Sequence, residues 1–359
     1  MNKMLFRLIG VIAVAIYSMS AYAETFEVDG IYYETDWSDN TIAIVTSGDD
    51  WDFQYKGSLS IPATITYKGK QYRVTTIGSM AFSMCEELES VTLSEGLLKI
   101  EDMAFWNCGI SVITLPASLT SLGDSPFQGC NNLKSIHVAE ANTKFCEIDG
   151  VLFDKAKETL VCYPSGKGTF YVVPVGTTTI GKEAFAESQI TSITLNEGLV
   201  CIDDAAFRFT DLKSIMIPSS VKQLGKFIFE FSNPKYIVSN ILEPQSISVS
   251  SFEYAEYDSQ NEIYNKTILY VPLGTESKYK AATGWNSFAS IRECDRIEMD
   301  GFEYEGICCP IRRSSSYATT SPSRSSLRST PSTTSPVPPR PSITSTIRSR
   351  PSAQTSSAR

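Results

Sequence analysis

The chain has 359 residues, 42 % of them hydrophobic and 20 % charged, which is ordinary for a folded protein with a sizeable core. Residues 24–311 contain all 40 acidic side chains against 21 Lys and Arg, which argues against a nucleic-acid partner because phosphate binding needs a basic surface. The chain has a single histidine, which excludes metal sites built from several histidines.

Residues 1–23 have the pattern of a secretory signal peptide. Lys3 and Arg7 precede an apolar run, and Ala21-Tyr22-Ala23 supplies the small residues that a signal peptidase requires. The apolar run is shorter than the roughly 20 residues that span a membrane. We therefore expect cleavage after Ala23 and a secreted, extracellular or cell-surface protein with no transmembrane segment in the mature chain.

Residues 24–73 predict a β-rich N-terminal cap with two hairpins. "FEVDGIYY" contains an Asp-Gly turn and "ATITYKGKQYRV" turns around Gly69. The acidic, aromatic stretch between them allows a glycan platform on Trp37 and Trp51, or a calcium loop. The calcium candidates are Asp36, Asp39, Asp49, Asp50 and Asp52. Because they lack the ordered oxygen spacing of a calcium loop, we favour solvated cap loops and expect no metal or cofactor.

From residue 74 to 252 the sequence repeats with a period of 22 or 23 residues, interrupted once by a gap of 58. The repeated aromatic residues are Phe82, Phe105, Phe127, Phe185, Phe207, Phe229 and Phe252. A fixed period of this size indicates a solenoid, in which each coil buries its apolar side against its neighbours. We expect the seven rings to form one continuous column.

Five of the repeats also contain an L-x-x-L-x-L segment, as in Leu88-x-x-Val91-x-Leu93. Its last two apolar positions alternate as in a strand with one buried face. Stacked coils should therefore place these strands in one narrow parallel sheet. A second apolar pair, such as Leu97 and Ile100, leads into the next coil. The 58-residue gap contains two β-rich runs around Asp154–Glu158, which predict an irregular hairpin coil over 139–175.

The repeated unit, with its Ile/Leu-Gly/Glu-x-x-Ala-Phe element, resembles the BspA-like class of leucine-rich repeat found in bacterial surface and secreted proteins. The resemblance implies a right-handed, mostly β solenoid that serves adhesion and protein binding, usually without catalysis. The chain departs from the pattern at Pro126 and at Ile228, each of which replaces the Ala before Phe. The coil of Ile228 also lacks a clear strand after it.

Beyond the repeats, residues 253–296 predict a small α+β C-terminal cap with a strand, a short helix and apolar Trp285, Phe288 and Ile291. Residues 297–311 begin with "IEMDGFEYE", which echoes "FEVDGIYYE" and predicts the start of a second module copy. Residues 312–359 form a Ser/Thr/Pro/Arg tail that we expect to be disordered. The abrupt change of composition suggests a frameshift, which sequencing of the locus would test.

Candidates for catalysis are few. His137 is expected at an exposed strand position, and no triad partner is visible. Cys85, Cys108 and Cys130 each follow a repeat Phe by three residues, which favours a buried ladder over disulfides. A carboxylate-based glycoside hydrolase needs a facing acid pair, but the outward strand positions supply only Glu89. We therefore predict no enzymatic activity.

The outward strand positions form the candidate binding stripe, which is rich in hydroxyl groups and nearly free of acids. Its predicted members are Glu89, Ser90, Thr92, Ser111, Val112, Thr114, Lys134, Ser135, His137, Thr191, Ser192, Thr194, Lys213, Ser214 and Met216. We expect them to lie on one contiguous face and to engage an extracellular protein. A glycan partner, a carbohydrate-active protein and a purely structural surface role remain as alternatives.

Overall fold

A computed structural model describes residues 25–48, 55–253 and 262–294, together with the backbone of two short strands within 297–304. The chain divides into two units, residues 1–311 and 312–359, and every described residue belongs to the first unit. The predicted signal peptide, the tail, Trp51 and three of the calcium candidates (Asp49, Asp50 and Asp52) lie outside the described residues.

The N-terminal part contains the two predicted hairpins. Its strands are β1 (Thr25–Val28), β2 (Ile31–Thr35), β3 (Ile42–Thr46), β4 (Gly57–Ile61), β5 (Thr64–Tyr67) and β6 (Lys70–Ile77). β1 pairs with β2 and β5 pairs with β6, both antiparallel. Asp29 and Gly30 have φ of 52° and 77°, as a two-residue hairpin turn requires. The structure thus confirms both hairpins.

The L-x-x-L-x-L segments lie in a row of parallel strands together with β4 and strands near the C-terminus, and we call this row the front row. Its strands are paired in four separate groups, so the expectation of one sheet is wrong. The members of the front row after β4 are β7 (Leu88–Leu93), β9 (Val112–Leu115), β11 (Ser135–Val138), β15 (Phe170–Val172), β17 (Ser192–Thr194), β19 (Ser214–Ile217), β21 (Tyr236–Ser239), β22 (Ile268–Pro272) and β23 (Ser290–Cys294). β21 follows Phe229, so the expectation that this coil lacks a strand is wrong.

The second apolar pairs form shorter strands on another side of the solenoid, the back row. Its members are β8 (Lys99–Ile100), β10 (Ser121–Leu122), β14 (Thr159–Cys162), β16 (Thr179–Ile180), β18 (Cys201–Ile202) and β20 (Gln223–Leu224). β8 pairs with β6 and β10, whereas β14 pairs with β16, which leads on to β18 and β20. β10 and β14 are not paired with each other.

The irregular coil explains this interruption. It inserts a second hairpin, β12 (Phe145–Ile148) and β13 (Val151–Asp154), before β14. β13 is buried along its length and separates two cores: Leu152 packs into the N-terminal core, whereas Val151 and Phe153 pack into the C-terminal one. The Asp149-Gly150 turn repeats the Asp-Gly signal of the first hairpin, so the sequence contained the information for it.

The Ala-Phe element is neither helix nor strand. Met80 and Met84, two residues before and after Phe82, have φ of 58° and 62°. With this alternation, the N–H groups of Met80, Phe82 and Met84 all point to the next coil and donate to carbonyl oxygens at 3.1, 2.8 and 2.7 Å. The same three bonds recur from the coil of Phe105. They account for a segment that fits no regular periodicity.

The repeat rings stack as predicted, but in two columns. Phe82, Phe105 and Phe127 have centroid spacings of 5.0 and 5.5 Å. The second column begins at Tyr163, which stacks on Phe185 at 4.9 Å and takes the place of the repeat Phe in the irregular coil. No ring contact joins Phe127 to Tyr163, both of which are described, so the expectation of one continuous column is wrong.

The C-terminal part ends the second column with apolar side chains. Two short helices, α1 (Glu262–Lys266) and α2 (Glu276–Ala281), and two 3-10 turns, Val249–Phe252 and Trp285–Ser287, flank β22 and β23. Trp285 and Phe288 are buried, with ring centroids 5.5 and 5.2 Å from that of Phe252. β24 (Ile297–Met299) and β25 (Phe302–Tyr304) form an antiparallel pair, as β1 and β2 do.

A carboxylate clamp ties neighbouring coils together. Glu95 accepts hydrogen bonds from the backbone N–H groups of Ala117 (2.8 Å) and Ser118 (3.0 Å). In a later coil Glu197 makes a related contact, accepting from the backbone N–H (3.3 Å) and the hydroxyl (3.0 Å) of Ser219. The N–H of Ala117, and then that of Ser118, hold the pKa of Glu95 below its usual value because they stabilise the carboxylate.

We expect this clamp to make the free energy of unfolding depend on pH. A depressed folded-state pKa stabilises the protein above the unfolded pKa of about 4.3, and the contribution is lost as pH falls through the folded value. Glu95→Gln should therefore lower the urea midpoint at pH 7, and the difference from wild type should vanish near pH 2. Glu140→Gln, at an exposed carboxylate without a hydrogen bond among the described residues, is the control. A difference that persists unchanged in acid would contradict the clamp.

Candidate macromolecule-binding face

None of the fifteen predicted stripe residues is buried. Eleven lie within front-row strands, whereas four directly precede β9, β11, β17 and β19: Ser111, Lys134, Thr191 and Lys213. The stripe residues alternate with buried residues such as Val91, Ile113 and Ile193, which point into the cores. Strand register aligns the side chains between coils: Ser135 lies opposite Val112, and His137 opposite Thr114. In these five strands, β7, β9, β11, β17 and β19, the alternation in the sequence matches the alternation of exposed and buried side chains.

The face extends further toward the N-terminus than predicted. β4 pairs with β7 and places Ser58 and Ser60 opposite Ser90 and Thr92. The Ser90 hydroxyl donates to that of Ser58 at 2.8 Å. The sequence assigned β4 to the cap, but the alternation in "GSLSI" matches that of the repeat strands.

The face is divided in the middle, so the expectation of one contiguous stripe is wrong. The hairpin turn next to β11 occupies the position of a neighbouring strand, where the N–H of Ile136 donates to Gly150 O at 2.9 Å. Glu147 from the same hairpin lies 3.1 Å from Nδ1 of His137. The strand beside β17 is β15, from the irregular coil. Residues of β11 and β17 are therefore not neighbours.

β15 brings two apolar side chains onto the face that sequence reasoning missed. Phe170 lies opposite Ser192 and Val172 opposite Thr194, and the two side chains are 60 % and 52 % exposed. Tyr171 and Val173 point into the core instead. In "TFYVVP" every residue suits a strand, and a shift of one residue exchanges the two faces, so periodicity alone could not choose between them.

The half of the face that starts at β15 is more apolar than the other half. It continues through Met216 to Tyr236, whose ring lies 5.8 Å from that of Tyr270 on the next strand. Short hydroxyl side chains separate these groups. We call the outward residues of β15, β17, β19 and β21 the apolar half-face.

Potential metal ligands and cysteine thiols are two kinds of reactive group in the described residues. Within them, no group of three His, Cys, Asp or Glu side chains is placed to hold a metal ion. Cys85, Cys108 and Cys130 are buried free thiols, as predicted. Burial raises the pKa of the Cys108 thiol to about 12, so its reactive thiolate form is rare at neutral pH.

In the cap loop, both described calcium candidates have local partners. Asp36 accepts from the hydroxyl and N–H of Ser38, and Asp39 accepts from the hydroxyl and N–H of Thr41. These bonds lower the pKa of both carboxyls, with the hydroxyl contact the largest cause in each. Trp37 beside them is 89 % exposed.

No helix in the described part of the chain has the length and apolar character needed to cross a membrane. This observation does not involve residues 1–23, where the signal peptide is predicted.

Comparison with solved structures finds bacterial leucine-rich repeat proteins. The pneumococcal vaccine antigen PcpA is 20 % identical, with 76 % of this chain and 99 % of that chain covered and a TM-score of 0.43. A leucine-rich cell surface protein from Faecalibacterium prausnitzii is 17 % identical, with 76 % and 95 % covered and a TM-score of 0.44. A leucine-rich repeat protein from Eubacterium ventriosum is 18 % identical, with 70 % and 80 % covered and a TM-score of 0.44.

No curated protein matches the chain. The family described as BspA type leucine-rich repeat region matches in six copies, over residues 59–159 and 161–269, which is more than half of the chain. These ranges contain the front-row strands from β7 to β21, the Ala-Phe elements and the irregular coil. The chain belongs to the BspA-type leucine-rich repeat family.

Proposed function

We propose that this protein is a secreted or cell-surface, non-catalytic binding protein whose front-row face engages a macromolecular partner, in an adhesion-type protein–protein interaction. The observation that carries the proposal is the exposure of Phe170 and Val172 in the middle of a face that is rich in short hydroxyl side chains. Nothing in the packing of the solenoid requires apolar side chains at these two positions.

The composition of the apolar half-face suits a protein partner. Binding energy in such interfaces is concentrated in a few large apolar or aromatic residues, surrounded by contacts that exclude water. Phe170 supplies an anchor of this kind, and the flanking Ser192 and Thr194 lose little side-chain entropy when they are covered. Residues 24–311 carry 40 acids against 21 bases, yet the apolar half-face contains none of these acids.

Glycan binding is a second candidate, favoured by one observation. Trp37 is 89 % exposed next to Asp36 and Asp39, and an exposed aromatic ring beside carboxylates can stack on a sugar and accept its hydroxyl groups. This site lies in the N-terminal cap loop and contains no residue of the front-row face, so variants can separate the two candidates.

The test is binding of the purified protein to an array of extracellular matrix proteins and to a glycan array. Thr194→Arg combined with Ser214→Arg should abolish binding to the protein array while leaving the melting temperature unchanged. Thr120→Arg combined with Gln223→Arg adds the same charge at exposed positions of the back-row side and should have no effect. Retained binding by the first variant would exclude the apolar half-face as the binding site. If only Trp37→Ala loses binding, and the binding lost is to the glycan array, the result would favour the glycan-binding candidate.

A further inference from the structure

The back corner of the irregular coil is two residues shorter than that of every other coil. In the regular coils five residue steps separate the back-row apolar residue from the repeat Phe, as from Ile180 to Phe185. In the irregular coil Leu160 pairs with Ile180, and the N–H of Tyr163 donates to Ala184 O at 2.8 Å, the bond made by the repeat Phe elsewhere. Only three steps separate Leu160 from Tyr163.

This shortening interrupts the ladder of backbone hydrogen bonds between the coil of Phe127 and the irregular coil. In the other coils the residue two before Phe donates its N–H to the next coil: Met80 to Asp102 O, Met103 to Asp124 O, Glu183 to Asp204 O, Ala205 to Lys226 O and Phe227 to Ser250 O, at 2.7–3.1 Å. At the shortened corner, the N–H groups of Ser125 and Phe127 and the C=O of Lys182 have no hydrogen-bond partner among the described residues. The Ser125 hydroxyl donates to the Glu183 carboxylate across the same gap. The N–H of Ser125 and the C=O of Lys182 stand at the positions that a peptide unit joins between regular coils.

A cavity of about 430 Å³ lies at this corner, and both Ser125 and Lys182 line it. We call it the notch. Leu122, Phe145 and Val161, all partly exposed, give it an apolar wall. Its volume falls within the roughly 300–1,000 Å³ of ligand sites. Its rim contains the exposed ion pair of Asp124 with Lys182, which costs little to open.

We propose that the notch binds a peptide group from a partner polypeptide. A trans peptide unit accepts on one edge and donates on the opposite edge, so it satisfies Ser125 N–H and Lys182 C=O together. Since Asp124, Glu183 and Asp203 outnumber Lys182 around the notch, an anionic acceptor is disfavoured and a neighbouring basic side chain is favoured. A wholly apolar ligand would leave the N–H of Ser125 unpaired at a cost.

The probe is the blocked tripeptide acetyl-Gly-Lys-Phe-amide, whose sequence is that of residues 225–227 at the equivalent corner of a regular coil. In an amide-resolved NMR titration of the full-length protein, we expect a saturable downfield shift of the Ser125 N–H, with the weak affinity of a small ligand. The same peptide with the Lys-Phe amide nitrogen methylated has lost its donor and should bind at least tenfold more weakly.

A protein variant provides the second arm. Thr159 lies in the notch, and Thr159→Phe should fill it and weaken tripeptide binding at least tenfold. Gln223→Phe, in the same outward row of back-row strands but outside the notch, should bind as wild type does. An absent Ser125 shift up to the solubility limit of the peptide would mean that the notch holds water only, and would overturn the proposal. Equal binding of the methylated peptide would overturn it as well.

Discussion

Phe105→Ala is expected to lower the free energy of unfolding by about 3 to 5 kcal/mol. Phe105 is fully buried and stacks between Phe82 and Phe127, at centroid distances of 5.0 and 5.5 Å. Removing the ring leaves a cavity that the neighbouring coils cannot close, because their backbones are fixed by the hydrogen bonds of the Ala-Phe elements. Urea unfolding followed by circular dichroism measures the loss.

Phe170→Ala is the matched control for this prediction. It is the same substitution at a ring that is 60 % exposed on the front-row face, so it should change stability by less than about 0.5 kcal/mol. A loss below about 1 kcal/mol for Phe105→Ala would mean that the N-terminal aromatic column does not support the fold.

For binding, we expect the large effect from Phe170→Ala and not from Phe105→Ala. If Phe170 is the anchor of the apolar half-face, Phe170→Ala should weaken binding to the partner found on the protein array by about 2 kcal/mol or more, a factor of roughly 30. Calorimetric titration measures the change. Val175→Ala removes a side chain that is 93 % exposed in the turn after β15, and it should leave the affinity within about twofold of wild type.

Affinity unchanged by Phe170→Ala would show that the exposed ring of β15 is not an anchor. The partner would then contact the N-terminal half of the front-row face, formed by β4, β7, β9 and β11, or a loop. Because Phe170→Ala leaves the core intact, a loss of binding cannot be attributed to unfolding.

Most of the solenoid could be predicted because the same pattern of apolar residues repeats from coil to coil. A repeat of 22 or 23 residues fixed the Phe positions, and alternation within each L-x-x-L-x-L segment fixed which side chains point outward. Pro116 and Pro218 follow β9 and β19 directly, as strand ends allow. Each of these features depends on residues close together in the sequence or one coil apart.

Apart from β21 and the place of β4 in the front row, the features that were missed belong to the irregular coil. Tyr163 lies 36 residues after Phe127 but one period of 22 residues before Phe185, so the period pointed to it; it was missed because a Tyr replaces the repeat Phe there. The hairpin of β12 and β13 was readable from Asp149-Gly150, but its position as a partition between two cores depends on tertiary packing. The division of the binding face and the exposure of Phe170 follow from that partition.

Side-chain footprinting by hydroxyl radicals, with and without the bound partner, tests the central claim most directly. The proposed binding mode predicts that Phe170 and Met216 on the apolar half-face become protected, while Val175 and Trp37 remain as reactive as in the free protein. Protection of Trp37 with unchanged oxidation of Phe170 and Met216 would contradict it and move the binding site to the N-terminal cap loop.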